Sequence, residues 1–210
     1  MTDTRALARD ERAELGAFLV TLAPEQWDAP TLCGGWAVRD VVAHLLGYDP
    51  MGLGGFARNL ARARFDPDRA NQRVVDGLRD ADPEVLVELV RRHEEPRGVG
   101  ALFGGRIALT DGAIHHQDIR RPLGLPREIP SERLRVILDF AMVAPPIRAF
   151  VRTRGLRLVA TDLDWSSGRG TAEVRGPGEA VLMAAAGRAH ALGELDGPGV
   201  ETLARRCDAA

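Results

Sequence analysis

The chain has 210 residues, 28 basic and 30 acidic side chains, a formal net charge of -2 and 45% hydrophobic residues. This composition suits a folded domain, or a domain with a small appendage, and excludes extended disorder. Arg interleaves evenly with Asp and Glu, which leaves no basic stripe, so no nucleic-acid partner is expected.

In chain order, apolar Leu7, Leu15, Phe18, Leu19 and Leu22 recur at helical spacing and predict an amphipathic helix over 4–22. Two prolines and a glycine pair make 23–35 a connection that feeds a second helix from Trp36, carrying His44. Asp-Pro steps and glycines interrupt 49–82, which reads as short helices and a mobile excursion. Asp82-Pro83 is a helix start signal, and the pattern runs to about Glu95. Another helix is predicted from about Leu102 to Arg121, closed by Pro122 and Gly124.

Pro130 opens a helix that ends at Pro145-Pro146. Beyond it, Leu156 to Trp165 is rich in strand formers, Ser166 to Gly170 reads as a turn, and Thr171 to Arg175 as a returning strand. A helix from Glu179 to about Leu195 and a final one to about Cys207 complete the pattern. The expected fold class is therefore mainly α, with a helical body over 1–146 and a small α/β domain over 147–210.

No apolar run approaches the ~20 residues that span a bilayer, and the N-terminus lacks the apolar core of a signal peptide. A cytoplasmic protein with no membrane partner, as monomer or homodimer, is expected. Two cysteines, Cys33 and Cys207, cannot build a disulfide framework. All 28 basic residues are arginine, a bias that points to a high-GC bacterial genome.

The chemistry concentrates in two motifs. Asp111 and His115 stand four residues apart, which stacks their side chains on one helical face. His44 on a neighbouring helix would complete a three-ligand metal site, and three protein ligands with an open position mark a catalytic rather than a structural zinc.

Thr31-Leu-Cys-Gly-Gly-Trp36, Val38-Arg-Asp-Val-Val-Ala-His44-Leu and His115-His-Gln-Asp118-Ile-Arg-Arg-Pro-Leu-Gly124 resemble the mycothiol-dependent maleylpyruvate isomerase family. That family belongs to the DinB-like superfamily of metal-binding four-helix bundles, and the stretch from Leu156 to Arg206 resembles its small C-terminal α/β domain. The resemblance implies a divalent metal, Zn2+, held by His44, Asp111 and His115. Asp111 stands where the family pattern has Glu. It implies mycothiol, the thiol of high-GC actinobacteria, as thiol cofactor at the open position, and a small electrophile as the other partner. Isomerisation or S-transfer would proceed through a metal-bound thiolate. The resemblance also implies a substrate-binding arginine in the C-terminal domain, with Arg188 the first choice and Arg175 the second.

Other residues carry plainer readings. Asp118 fits either a carboxylate that fixes the His115 tautomer or a solvated partner of Arg120 or Arg121. His116 faces away from His115 and is expected to pack or to stand at a pocket rim, Cys33 to pack as a small apolar residue, Trp36 to anchor the core, and Asp162 and Asp164 to share a solvated strand face. His93 and His190 receive no role. Two other functions fit the same motifs: a non-catalytic divalent-metal-binding protein of this fold, and a metal-dependent hydrolase that activates water.

Overall fold

The computed structural model describes residues 2–208. Two compact units divide the chain, Met1–Arg127 and Glu128–Ala210. The first unit is helical: α1 (Thr4–Leu19), α2 (Val38–Gly47), α3 (Leu53–Arg62), α4 (Pro67–Asp76), α5 (Pro83–Arg92) and α6 (Arg106–Leu123). Its core is a four-helix arrangement in which α1 and α2 each pack against both α5 and α6.

Local sequence explains these elements. Asp3 caps α1, its carboxylate accepting from the Arg5 and Ala6 amides, a device worth about 1 kcal/mol. Phe18 and Leu19 of α1, Val41 and Val42 of α2, Leu86 and Val90 of α5 and Ile119 of α6 are all buried in one cluster. Each large side chain buried there contributes roughly 1.5–3 kcal/mol. Val41, Val42, His44 and Leu45 are all buried, so α2 is covered nearly all round.

The segment 49–82 is more regular than its Asp-Pro and glycine punctuation implies. It holds two ten-residue helices, α3 and α4. Asp66-Pro67 is a start signal rather than a break: the Asp66 carboxylate accepts from the Asp68 and Arg69 amides, and Pro67 occupies the first turn. Gly47 lets α4 approach α2, since a Cβ there would lie 2.1 Å from Val74 Cγ1. Asp82, by contrast, stands at the N-cap of α5 but makes no side-chain capping hydrogen bond.

The second unit contains α7 (Ser131–Ala141), α8 (Ala149–Arg152), β1 (Leu156–Ala160), β2 (Ser166–Ser167), β3 (Ala172–Gly176), α9 (Gly178–Ala185) and α10 (Val200–Asp208). α7, read from sequence as part of the helical body, packs here against α9. The sheet order is β2-β1-β3. β2 pairs with β1 antiparallel, but β3 pairs with it in parallel, from Leu156–Ala172 to Ala160–Gly176, so the expected return strand is a crossover. Glycine makes this crossover feasible: a Cβ on Gly170 would lie 1.9 Å from the Gly155 carbonyl oxygen, so only a bare backbone can pass the start of β1.

Two further readings change in this unit. Asp162 and Asp164 lie beyond the end of β1, and Asp162 Oδ1 accepts from the Gly178 amide at 2.8 Å, so they do not line a strand face. The helix expected to reach Leu195 ends at Ala185, because Gly187 takes a left-handed backbone with φ 94°. No helix among the described residues is long and apolar enough to cross a membrane.

Candidate metal centre

His44 comes from the last turn of α2, and Asp111 and His115 from successive turns of α6. The i,i+4 spacing sets Asp111 Oδ1 3.5 Å from His115 Nε2, while Oδ2 of the same carboxylate lies 3.7 Å from His44 Nε2. The two imidazoles meet edge to face, with centroids 4.8 Å apart. Both histidines are buried, and the Asp111 side chain is 43% exposed, so the open side of the cluster lies at the carboxylate. Although Asp is one methylene shorter than Glu, Asp111 spans both rings.

This donor set fits a divalent cation. One ligand atom from each of the three residues lies within 4.8 Å of the others. Ligands around tetrahedral zinc, with bonds of ~2.1 Å, stand roughly 3.4 Å apart, so closure needs side-chain shifts of about 1 Å.

Asp118 sits behind His115. Its buried carboxylate accepts a hydrogen bond from His115 Nδ1 at 2.9 Å. A carboxylate can only accept, so Nδ1 carries the proton and Nε2 is the nitrogen left to face Asp111 and His44. Asp118 is therefore the partner that sets the ring, rather than a solvated mate of Arg120 or Arg121. Burial works against a charged imidazole, but the Asp111 charge, the Asp118 hydrogen bond and the Cys33 contact outweigh it and push the His115 pKa up to about 10. A cation entering this site thus displaces a proton.

Cys33 is closer to this chemistry than its packing role suggested. Its Sγ donates to Asp118 Oδ2 at 3.1 Å and lies 3.4 Å from His115 Nδ1. The positioning traces to Pro122. A proline inside α6 has no N–H to offer the Asp118 carbonyl, and that carbonyl accepts instead from the Leu32 amide at 3.1 Å. The 31–36 loop is tied to α6 in this way.

Aromatic side chains flank His44. The Trp36 ring lies 5.1 Å from it and the Tyr48 ring 5.4 Å, edge on. Trp36 is a wall of the site as much as a core anchor: its Nε1 donates to Gln72 Oε1 at 3.1 Å. The Tyr48 hydroxyl donates to Asn71 Oδ1, and burial together with the Asp111 charge pushes its pKa up to about 12, so it stays protonated. Both amides come from α4, the helix that Gly47 admits.

His116 packs, as its position on the helix implies. It is fully buried, its Nδ1 donates to Glu11 Oε1 at 3.1 Å, and its Nε2 accepts from Arg120 Nε at 2.8 Å. Arg188 is not borne on a helix. It follows Gly187 in extended conformation, half-buried, with Nη1 donating to the Ala186 carbonyl at 2.9 Å. Gly187 makes room for the Arg152 guanidinium, whose Cζ would lie 2.8 Å from a Cβ at that position. Arg175 is on β3, 55% exposed and 3.8 Å from Glu173 Oε1. His93 caps the C-terminus of α5, far from the three ligands in sequence.

Residues 8–97 match the family model described as the mycothiol maleylpyruvate isomerase N-terminal domain. His44 falls inside the matched segment; Asp111 and His115 lie beyond it. Among solved structures the chain is similar to the mycothiol-dependent maleylpyruvate isomerase, at 15% identity, 87% coverage of both chains and a TM-score of 0.50. A mutant of that enzyme matches at the same identity and coverage with a TM-score of 0.49. No curated protein matches the chain. At this identity the structural likeness shows a shared fold, and residues 8–97 are similar to the N-terminal domain of mycothiol maleylpyruvate isomerase.

Proposed function

We propose that this chain is an enzyme that uses a divalent cation, zinc in the first instance, and a low-molecular-weight thiol, mycothiol, to isomerise a small electrophile or to transfer the thiol to it. The carrying observation is the convergence of His44 Nε2, His115 Nε2 and the Asp111 carboxylate on one point, open at the carboxylate side. The matched family domain and the dependence on mycothiol in the name of the structurally similar enzyme support the choice of thiol.

A divalent cation bound by His44, Asp111 and His115 would supply Lewis acidity that favours the thiolate form of a thiol at neutral pH, without a protein base. The chain's own residues do the rest. Asp118 holds the His115 ring with Nε2 outward. Trp36 and Tyr48 flank His44 and limit water on that side. Arg188 would bind the anionic part of the substrate, since a guanidinium offers a planar two-pronged donor that stays charged.

The test is elemental analysis of freshly purified protein together with turnover of maleylpyruvate with and without mycothiol. About one divalent ion per chain is expected, lost in His44→Ala and in His115→Ala and retained in His93→Ala. Metal retention at wild-type levels in both ligand variants would mean the site is misplaced. Turnover independent of the thiol would point to hydrolysis instead.

A further inference from the structure

We infer that the turn between α3 and α4 forms a binding site for a small polyanion, a di- or tricarboxylate or a phosphorylated molecule, next to the candidate metal centre. A cavity of about 310 Å³ opens there, lined by Arg62, Ala63, Arg64, Arg69, Gln72 and Arg73. Four of its six lining residues are thus arginines, in a chain whose net charge is -2. Only Arg69 has a carboxylate partner, Asp66 at 3.2 Å; Arg62, Arg64 and Arg73 have none among the described residues.

Like charges around a cavity repel each other unless a counter-charge enters, and guanidiniums match carboxylate and phosphate oxygens in a two-pronged geometry. The backbone reinforces the reading. Arg64 and Phe65 both adopt left-handed conformations, φ 58° and 62°, which non-glycine residues rarely do and almost never in succession. The left-handed pair follows directly on the buried Ala63, at the residues that bring Arg64 to the cavity.

One wall of the cavity is tied to a metal ligand through an indole. Gln72, one of its walls, accepts from Trp36 Nε1, and the Trp36 ring rests on His44. A molecule anchored in the cavity by its anionic groups would have one indole between itself and the His44 ring. That the cavity meets a further anionic group of the substrate or thiol rests on the function proposed above; that the cavity binds a polyanion does not.

The experiment is calorimetric titration of the full-length protein with citrate and with inorganic pyrophosphate at low ionic strength, repeated in His44→Ala. One site per chain is expected, weakening as salt is added. Arg64→Ala/Arg73→Ala should weaken binding at least tenfold. Arg79→Ala should leave it unchanged, because that guanidinium pairs with Asp76 and does not line the cavity. Binding that persists in His44→Ala, even if no thiol-dependent turnover is found, sustains the anion site alone. Absence of binding to either anion at millimolar concentration overturns the inference, as does equal binding by the double variant. So does binding confined to anionic lipid vesicles, which would make the exposed, arginine-bearing α3 a membrane-contacting element instead.

Discussion

The Asp118 carbonyl accepts from the Leu32 amide at 3.1 Å, the hydrogen bond that Pro122 frees by having no N–H of its own. This contact fastens the 31–36 loop to α6 and holds Cys33 beside Asp118 and His115. Pro122→Ala supplies a competing donor inside the helix and should loosen the loop. Faster labelling of Cys33 by a thiol reagent is expected, with Cys207 labelling unchanged as the buried reference. Identical labelling rates in variant and parent would show that the loop is held by other contacts.

Asp118→Asn keeps the shape behind His115 but replaces a charged acceptor with an amide that can present either its oxygen or its NH2 group. The ring tautomer is then less strictly set, and divalent-metal affinity should fall by about 10–100-fold while folding is retained. Competition against a chromophoric chelator measures this. An affinity within twofold of wild type would show that Asp118 is structural only.

Glu11 carries an acid-dependent part of the fold's stability. It is 2% exposed, and its carboxylate accepts from Arg127 Nη2 at 2.6 Å and from His116 Nδ1 at 3.1 Å. Burial alone would raise its pKa, but His116 and Arg127 lower it to about 2. The sign follows: the folded-state value lies below the ordinary 4.5, so the contribution is complete above pH 4.5 and is lost as pH falls toward 2. Glu11→Gln should cost about 3 kcal/mol at neutral pH, since the buried Arg127 loses one carboxylate partner and keeps Glu14 at 3.1 Å, and should flatten the acid limb of stability. Urea unfolding at pH 7, 5, 4 and 3 reads both effects; parallel pH profiles in the two proteins would refute it.

What the sequence made legible, and what it did not, divides by range. Asp111 and His115 are four apart on one helix, so their meeting is local geometry, and His44 was placed by a motif that carries its own helix. Cys33 escaped because its contact is made 82 residues away along the chain and depends on a proline in another element. The parallel course of β3 escaped because it depends on Gly170 passing the Gly155 carbonyl, a close approach that glycine permits but does not announce. In 49–82, Asp66-Pro67 was read as an interruption although the same pair caps α4, a sign that one dipeptide serves both purposes.

Arg188 gives the last prediction. Its guanidinium is anchored at one nitrogen by the Ala186 carbonyl, 2.9 Å away, which restricts how it can turn. Burial, and then the charges of Arg148 and Arg188 acting against a favourable Cys207 contribution, depress the pKa of Arg152. Arg152 holds the chain together there, with Nη1 donating to the Ile147 carbonyl at 2.7 Å and its guanidinium stacked over Gly187. Arg188→Met keeps most of the apolar stem of the side chain. The variant should therefore retain metal content and melting temperature. With a carboxylate-bearing substrate, kcat/KM should drop about tenfold, chiefly through KM, the cost of one charge-assisted pair of roughly 1.4 kcal/mol. Adding citrate as a competing anion then separates this arginine from the cavity at α3 and α4, because only variants of Arg64 and Arg73 should alter citrate binding. Unchanged kinetics in Arg188→Met would remove it from the site and leave the α3–α4 cavity as the place where substrate charge is met.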